Sequence, residues 1–219
     1  MWVFGTGLAA ECVLSQLNSE YVDGVCVDDE YYFDGQQLMG YTVEPFSKIK
    51  LKLAEKKIFV ATGYKNLNRI RASILNKFLG LRLPIGNVIS KSDSIFTPEY
   101  GINNFIMNGA CIQPFVSIKD NVFIWSGATV CHHVKIGSNV WITAGATIAG
   151  ATHIGNNVFI GANATIGSGI KIGSNVFIGA GTLVTRDLDS NSVVIRKNSE
   201  LSKFQADMFM DFLDKRGTY

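Results

Sequence analysis

The segment Thr129–Gly137, TVCHHVKIG, sets His132 beside His133, and the chain has three histidines in all, the third being His153. An imidazole with an ordinary pKa near ~6.5 takes up and returns a proton at neutral pH, so the pair is the first candidate for general-base chemistry. Histidine is also a common zinc ligand, which keeps a metal-dependent hydration open. Cys131 adjoins the pair and invites a nucleophile reading. It holds the second place of a six-residue repeat, normally Gly or Ala, and reads as a small residue. His153 closes its own repeat unit and reads as structural.

That repeat is what must position the histidines. From Ile106 an aliphatic residue returns at every sixth position through Ile112, Ile118, Ile124, Val130, Ile136, Ile142, Ile148, Ile154, Ile160, Ile166, Ile172 and Ile178 to Val184. A period of six fits neither a helix nor strand alternation and signals a hexapeptide parallel β-helix, with about 18 residues per triangular coil. The recurring aliphatic points inward, and small residues or Asn take the corners, where the backbone turns left-handed. The span predicts between four and five coils with no interrupting loop. His132 and His133 then occupy a corner, His132 stacked between Pro114 and Gly150, His133 between Phe115 and Ala151. Gly150 and Ala151 clear space above the pair, enough for a thin ligand to run along the edge. The Gly150 N–H is the first candidate donor to an oxyanion.

Residues 1–91 lack the beat. MWVF, then Gly5-Thr6-Gly7-Leu8-Ala9-Ala10, then ECVLSQL reads as strand, tight turn and amphipathic helix with the GxGxxA spacing of a phosphate turn. A second strand, YVDGVCV, ends in Asp28-Asp29, where acids can accept from ribose or base donors. KKIFVATGYKNLNRIRASILNKFLG predicts a strand (Lys57–Ala61), a turn at Thr62-Gly63 and a helix from Asn66 to Leu79 capped by Gly80. LRLPIGNVIS returns as a last strand. Three or four strands make half a dinucleotide fold, suited to a mononucleotide. Asn68 and Arg71, one turn apart, are candidate polar contacts to it, set against ordinary helix-surface polarity.

The expected organisation is therefore an α/β Rossmann-like domain (1–91), a β-helix (92–198) and a short C-terminal helix (199–219) whose stripe of Leu201, Phe204, Met208, Phe209 and Phe212 packs on the prism. A net charge of +2 with 17 % charged residues argues against nucleic acid as partner. No apolar run is long enough to span a membrane, and the N-terminus lacks the basic start of a signal peptide. Four isolated cysteines read as reduced thiols of a cytoplasmic protein.

The GxGxxA domain, VDDEYYFDGQQLMGYTVEPF, TGYKNLNRIR and the run WSGATVCHHVKIGSNVWITAGATIAG together resemble the sugar-nucleotide N-acyltransferases, relatives of the bacillosamine and perosamine N-acetyltransferases and of the sialic acid O-acetyltransferase group. The resemblance covers nearly the whole chain. It implies a left-handed β-helix, a homotrimer, acyl-CoA in grooves between prisms and an N-terminal domain that binds the nucleotide of an amino sugar. It puts the general base at His132. The next position, usually Glu or Asp, is His133, left as an orienting or substrate contact. Trp141 stands where some relatives carry a histidine. For the nucleotide sugar, UDP- or dTDP-linked before GDP-linked, it implies Gly5, Thr6, Gly7, Leu8, Asp28, Asp29, Thr62, Gly63, Asn68 and Arg71. For acetyl-CoA it implies Trp141, Gly150, Ala151, Ala162 and Ala180, and no metal.

The function expected is direct N-acylation of a 3- or 4-amino-deoxysugar, feeding surface polysaccharide or glycan synthesis. A sialic acid-type O-acetyltransferase, a γ-carbonic-anhydrase-like hydratase and a non-enzymatic sugar-nucleotide sensor stand as alternatives.

Overall fold

A computed structural model describes residues 1–92, 94–96 and 99–197. The expected C-terminal helix lies outside the described residues.

The N-terminal domain runs β1 (Trp2–Phe4), α1 (Leu8–Gln16), β2 (Gly24–Val27), β3 (Gln37–Leu38), β4 (Tyr41–Pro45), α2 (Phe46–Ile49), β5 (Ile58–Val60) and α3 (Arg69–Gly80). The sheet order is β3-β4-β2-β1-β5, parallel except for β3. The sequence promised three or four strands; the fifth, β3, arises because Met39 (φ 48°) and Gly40 (φ 84°) both turn left-handed and fold the chain back as a tight hairpin. Side chains alternate across the sheet. Trp2, Phe4, Cys26, Ile58 and Val60 face Phe46, Leu75 and Phe78, whereas Val3, Val25, Val27 and Phe59 face α1 and the prism.

Both ends of α3 and the strand after it differ from expectation. The helix expected from Asn66 begins at Arg69, because Asn66, Leu67 and Asn68 (φ 54°, 49° and 66°) make a left-handed turn that no right-handed helix contains. Gly80 ends the helix from within, and Arg82 (φ 55°) takes the left-handed place after it. The strand expected in LRLPIGNVIS splits. Ile85 makes a single bridge to Ile58, while Val88–Ile89 pairs with Phe105–Ile106 as the first rung of the prism. That rung is one residue short of a regular coil, which hid it from the six-residue count.

The rest is a left-handed parallel β-helix of three sheets, with five, seven and five strands. Every member of the beat from Ile106 to Val184 is at most 4 % exposed. The three corners differ in kind. One carries Asn103, Asn121, Asn139, Asn157 and Asn175, all left-handed, with side-chain amide bonds from Asn103 to Asn121, Asn121 to Asn139 and Asn157 to Asn175. A second carries Gly109, Gly127 and Gly145. The third carries Phe115, His133 and Ala151 at φ 65°, 61° and 59°, then Gly169. Outside the core, Phe105, Phe123, Trp141, Phe159 and Phe177 stack one coil apart, Phe123 on Trp141 at 5.0 Å and 11°. This aromatic stripe is the face that receives the N-terminal domain, Phe59 meeting Phe123 at 5.7 Å.

Candidate active site

Neither Asn nor Gly relieves the backbone of the third corner at Phe115, His133 or Ala151, although a left-handed L-residue costs roughly 1–2 kcal/mol. Strain of this kind collects where side chains have work to do. His132 and His133 are both exposed here. The stacking is the one the register predicted, with the His133 N–H donating to Pro114 O (3.2 Å) and the Ala151 N–H donating to His132 O (2.9 Å). His133 rests on Phe115, ring centroids 4.8 Å apart. His132 Nδ1 and His133 Nδ1 lie 3.1 Å apart with the rings at 83°. Such a contact requires that one Nδ1 carry the proton and the other accept it.

Gly150 supplies the seat. A Cβ there would come within 2.6 Å of His132 Cε1 and 2.8 Å of Nε2, so the imidazole lies in the volume a side chain would take. Among the described residues the Gly150 N–H has no hydrogen-bond partner, which leaves a donor beside the imidazole. Cys131 is a poor nucleophile, since burial pushes its thiol up and away from the reactive thiolate. His153 is exposed, its Nδ1 3.2 Å from Ala151 O.

A cavity of about 740 Å³ opens elsewhere, between the N-terminal domain and the prism beside the glycine corner. Gly7 and Leu8 line it at the head of α1, Thr62 and Gly63 at the turn after β5, and Trp141 and Ala162 on the prism. Six expected site residues therefore meet in one place. Gly5 brings the two turns together, since a Cβ on it would press to 3.1 Å from Ala61 O. Ala9, Cys12, Ala61, Tyr64, Lys65, Ile70, Trp125, Thr143 and Ala144 complete the lining and were not anticipated as site residues. Trp125 carried a faint signal, standing just outside the beat residue Ile124. Thr62 Oγ1, Trp125 Nε1 and Trp141 Nε1 are buried without partners among the described residues.

Other expected residues lie apart. Asp28 pairs with Lys77 at 2.6 Å, and Asp29 accepts from the Ser47 N–H at 3.0 Å, which holds its carboxyl below the usual range. Both line a separate depression with Glu30, Phe46 and Lys50. Gly150 and Ala151 sit at the histidine corner, and Ala180 is exposed one coil above Ala162.

Asn68 and Arg71 correct the sequence expectation. Both are fully buried, so neither presents its side chain at the surface. The Arg71 guanidinium donates to Asn121 Oδ1 and O, to Asn68 Oδ1, and to the carbonyls of Thr62 and Gly63. It lies 4.1 Å above the Phe123 ring and 5.1 Å from that of Trp141. Burial pushes its pKa down to about 9, which leaves it charged at neutral pH.

Residues 115–150, 133–168 and 151–186 match the bacterial transferase hexapeptide family of six repeats. About a third of the chain, residues 115–186, thus carries the six-residue repeat of that family. Among solved structures, this hexapeptide protein is similar to the acetyltransferase domain of PglB from Neisseria gonorrhoeae FA1090, in complex with acetyl coenzyme A. The identity is 25 %, the TM-score 0.78, and the match covers 89 % of this chain and 95 % of that one. It shares its fold with PerB from Caulobacter crescentus, a structure in complex with CoA and GDP-perosamine, at 24 % identity and TM-score 0.75, over 89 % and 93 % of the two chains. Compared by sequence with curated proteins, the chain has no match. Among the described residues, no three of His, Cys, Asp or Glu cluster as metal ligands, and no helix is long and apolar enough to cross a membrane.

Proposed function

We propose that this protein transfers an acyl group, most simply acetyl, from acyl-CoA to the 3- or 4-amino group of a nucleotide-linked deoxysugar. The seat of His132 carries this reading. Its Nδ1 is engaged by His133 and its ring is set against Gly150, and Nε2 has no partner among the described residues. With the proton on His132 Nδ1, Nε2 is the lone pair that takes a proton from the attacking amine. The nitrogen adds to the thioester carbonyl, and the Gly150 N–H stands ready for the developing oxyanion. The C–S bond then breaks, and the imidazolium returns its proton to the departing CoA thiolate.

The two glycine turns face the cavity with peptide N–H groups suited to a diphosphate. The likeness to the PglB acetyltransferase domain, over nearly the full length of both chains, supports acetyl-CoA as donor. Within one chain the cavity borders the glycine corner while His132 sits at the next corner round. A second prism, packed head to tail, brings its histidine corner to this cavity, and three such contacts close a homotrimer. The acceptor is UDP- or dTDP-linked, and the product serves surface polysaccharide or glycan synthesis in the cytoplasm.

Release of thiol from acetyl-CoA, measured against UDP-, dTDP- and GDP-linked 3- and 4-amino sugars, tests the assignment. Turnover with one of these supports it. Turnover only with a sialic acid hydroxyl replaces it with O-acetylation, and binding of a nucleotide sugar without any turnover points to a sensor.

A further inference from the structure

Arg71 is a cation without an anion. It is fully buried, yet every acceptor it meets is neutral, and none of the ion pairs among the described residues includes it. Burying an uncompensated charge is costly, and natural proteins keep one where a ligand completes the balance or a network holds it. The direction of its bonds shows where a balancing charge would sit. The carbonyls of Thr62 and Gly63 both turn inward to Arg71 Nη1, at 3.4 and 3.2 Å. In a trans peptide the N–H points opposite its C=O. The N–H groups of Gly63 and Tyr64 therefore point away from Arg71, on the side where Thr62, Gly63 and Tyr64 line the cavity. Neither N–H has a hydrogen-bond partner among the described residues, and the Thr62 hydroxyl beside them is buried and equally unpartnered.

We propose that Arg71 is a positioning residue for the substrate's diphosphate, acting through the Thr62-Gly63 and Gly63-Tyr64 peptides without touching it. The arrangement runs from guanidinium to carbonyl, through the peptide to its N–H, and on to a phosphate oxygen. Each peptide dipole is aligned by the cation behind it, and such chains polarise cooperatively. A neutral side chain in place of Arg71 would still fill the space over Phe123 but would free both peptides to rotate. The left-handed turn at Asn66–Asn68 gives the device its rigidity, because it brings Asn68 Oδ1 to 3.1 Å from Arg71 Nη2. This inference rests on the nucleotide-sugar reading and deepens it, since it says what recognises the charge.

The test compares a nucleoside diphosphate with its own nucleoside, by calorimetry on the full chain. UDP, dTDP and GDP are screened, and the tightest is paired with uridine, thymidine or guanosine. Arg71→Met is expected to weaken diphosphate binding by about tenfold or more while changing nucleoside binding less than about threefold. Asn68→Asp is the second variant and decides the matter if Arg71→Met does not fold. It puts a carboxylate against the guanidinium at the loss of one 3.4 Å hydrogen bond to Val158 O. A purely structural arginine would be held as well or better by that carboxylate. The proposal expects the opposite, a selective loss of diphosphate affinity because the cation is neutralised from within. Equal loss of nucleoside and diphosphate, or unchanged diphosphate binding in a folded variant, overturns it. If the unaltered protein binds none of the three diphosphates, the nucleotide reading itself falls.

Discussion

The imidazole of His132 fills the space that a side chain at Gly150 would need, one coil above it. Glycine at 150 is thus explained by volume, in contrast to Gly127 and Gly145, whose left-handed φ of 70° and 69° explains them by backbone. Gly150→Ala would force the His132 ring aside, and misplacing a reacting group by an ångström costs about 10²-fold in rate. The expected outcome is a fall in kcat of that order, with the thermal midpoint hardly changed because the His132 ring that must give way is exposed. A variant that keeps full kcat would show that the ring's seat does not matter.

The 3.1 Å contact between the two Nδ1 atoms predicts a graded series. His132→Asn removes the base and should lower kcat by roughly 10²–10⁴. His133→Ala removes only the group that holds the tautomer, so a smaller loss, about tenfold, is expected. His133→Glu offers a carboxylate to the same nitrogen, which favours the imidazolium. The acid limb of its rate profile should move to higher pH. An unmoved limb would mean that His133 does not face the working imidazole.

Asn103 tests the joint between the domains. Its side chain accepts from the Val60 N–H (2.7 Å), donates to Val60 O (3.2 Å) and donates to Asn121 Oδ1 (2.8 Å), all buried. Asn103→Ala strands those groups and leaves alanine at φ 55°. A loss of about 2–4 kcal/mol in denaturant unfolding is expected. A loss under about 0.5 kcal/mol would show that the joint does not depend on this rung.

The pH dependence of stability is legible at Asp23. Lys56, at 2.8 Å, and the terminal ammonium hold its carboxyl below the usual range. A depressed folded pKa means that the stabilisation is complete above the ordinary carboxylate value of ~3.9 and disappears as pH falls through the lower folded value. Asp23→Asn should therefore be less stable at pH 7, by under about 1 kcal/mol given solvent screening, with the gap narrowing as pH falls below the ordinary carboxylate value. An equal gap at both ends would assign the effect to packing.

The prism was legible because an inward aliphatic is demanded at every rung, so one missing beat would have shown. The histidine corner followed from the same count. The count failed at Val88–Ile89, where a coil is one residue short and no periodicity survives in two residues. The aromatic stripe was hidden for another reason. Phe105, Phe123 and Trp141 recur only once per coil, between positions that look interchangeable in sequence. Arg71 was misplaced because a polar residue on a helix reads as surface, whereas this helix face is covered by a second domain through Phe123 and Trp141. Asp28 sits at the expected end of β2, but Lys77, from a helix distant in sequence, claims it.

A solenoid offers chemistry an address system. Every coil of the third corner repeats the same backbone, so position alone does not single out the rung at residues 132 and 133. What does is the pair of neighbours, a broad ring below at Phe115 and bare backbone above at Gly150. Floor and headroom are set by side-chain size one turn away. A working pair of imidazoles could therefore be moved along the prism by exchanging three rungs together, with no change to the scaffold.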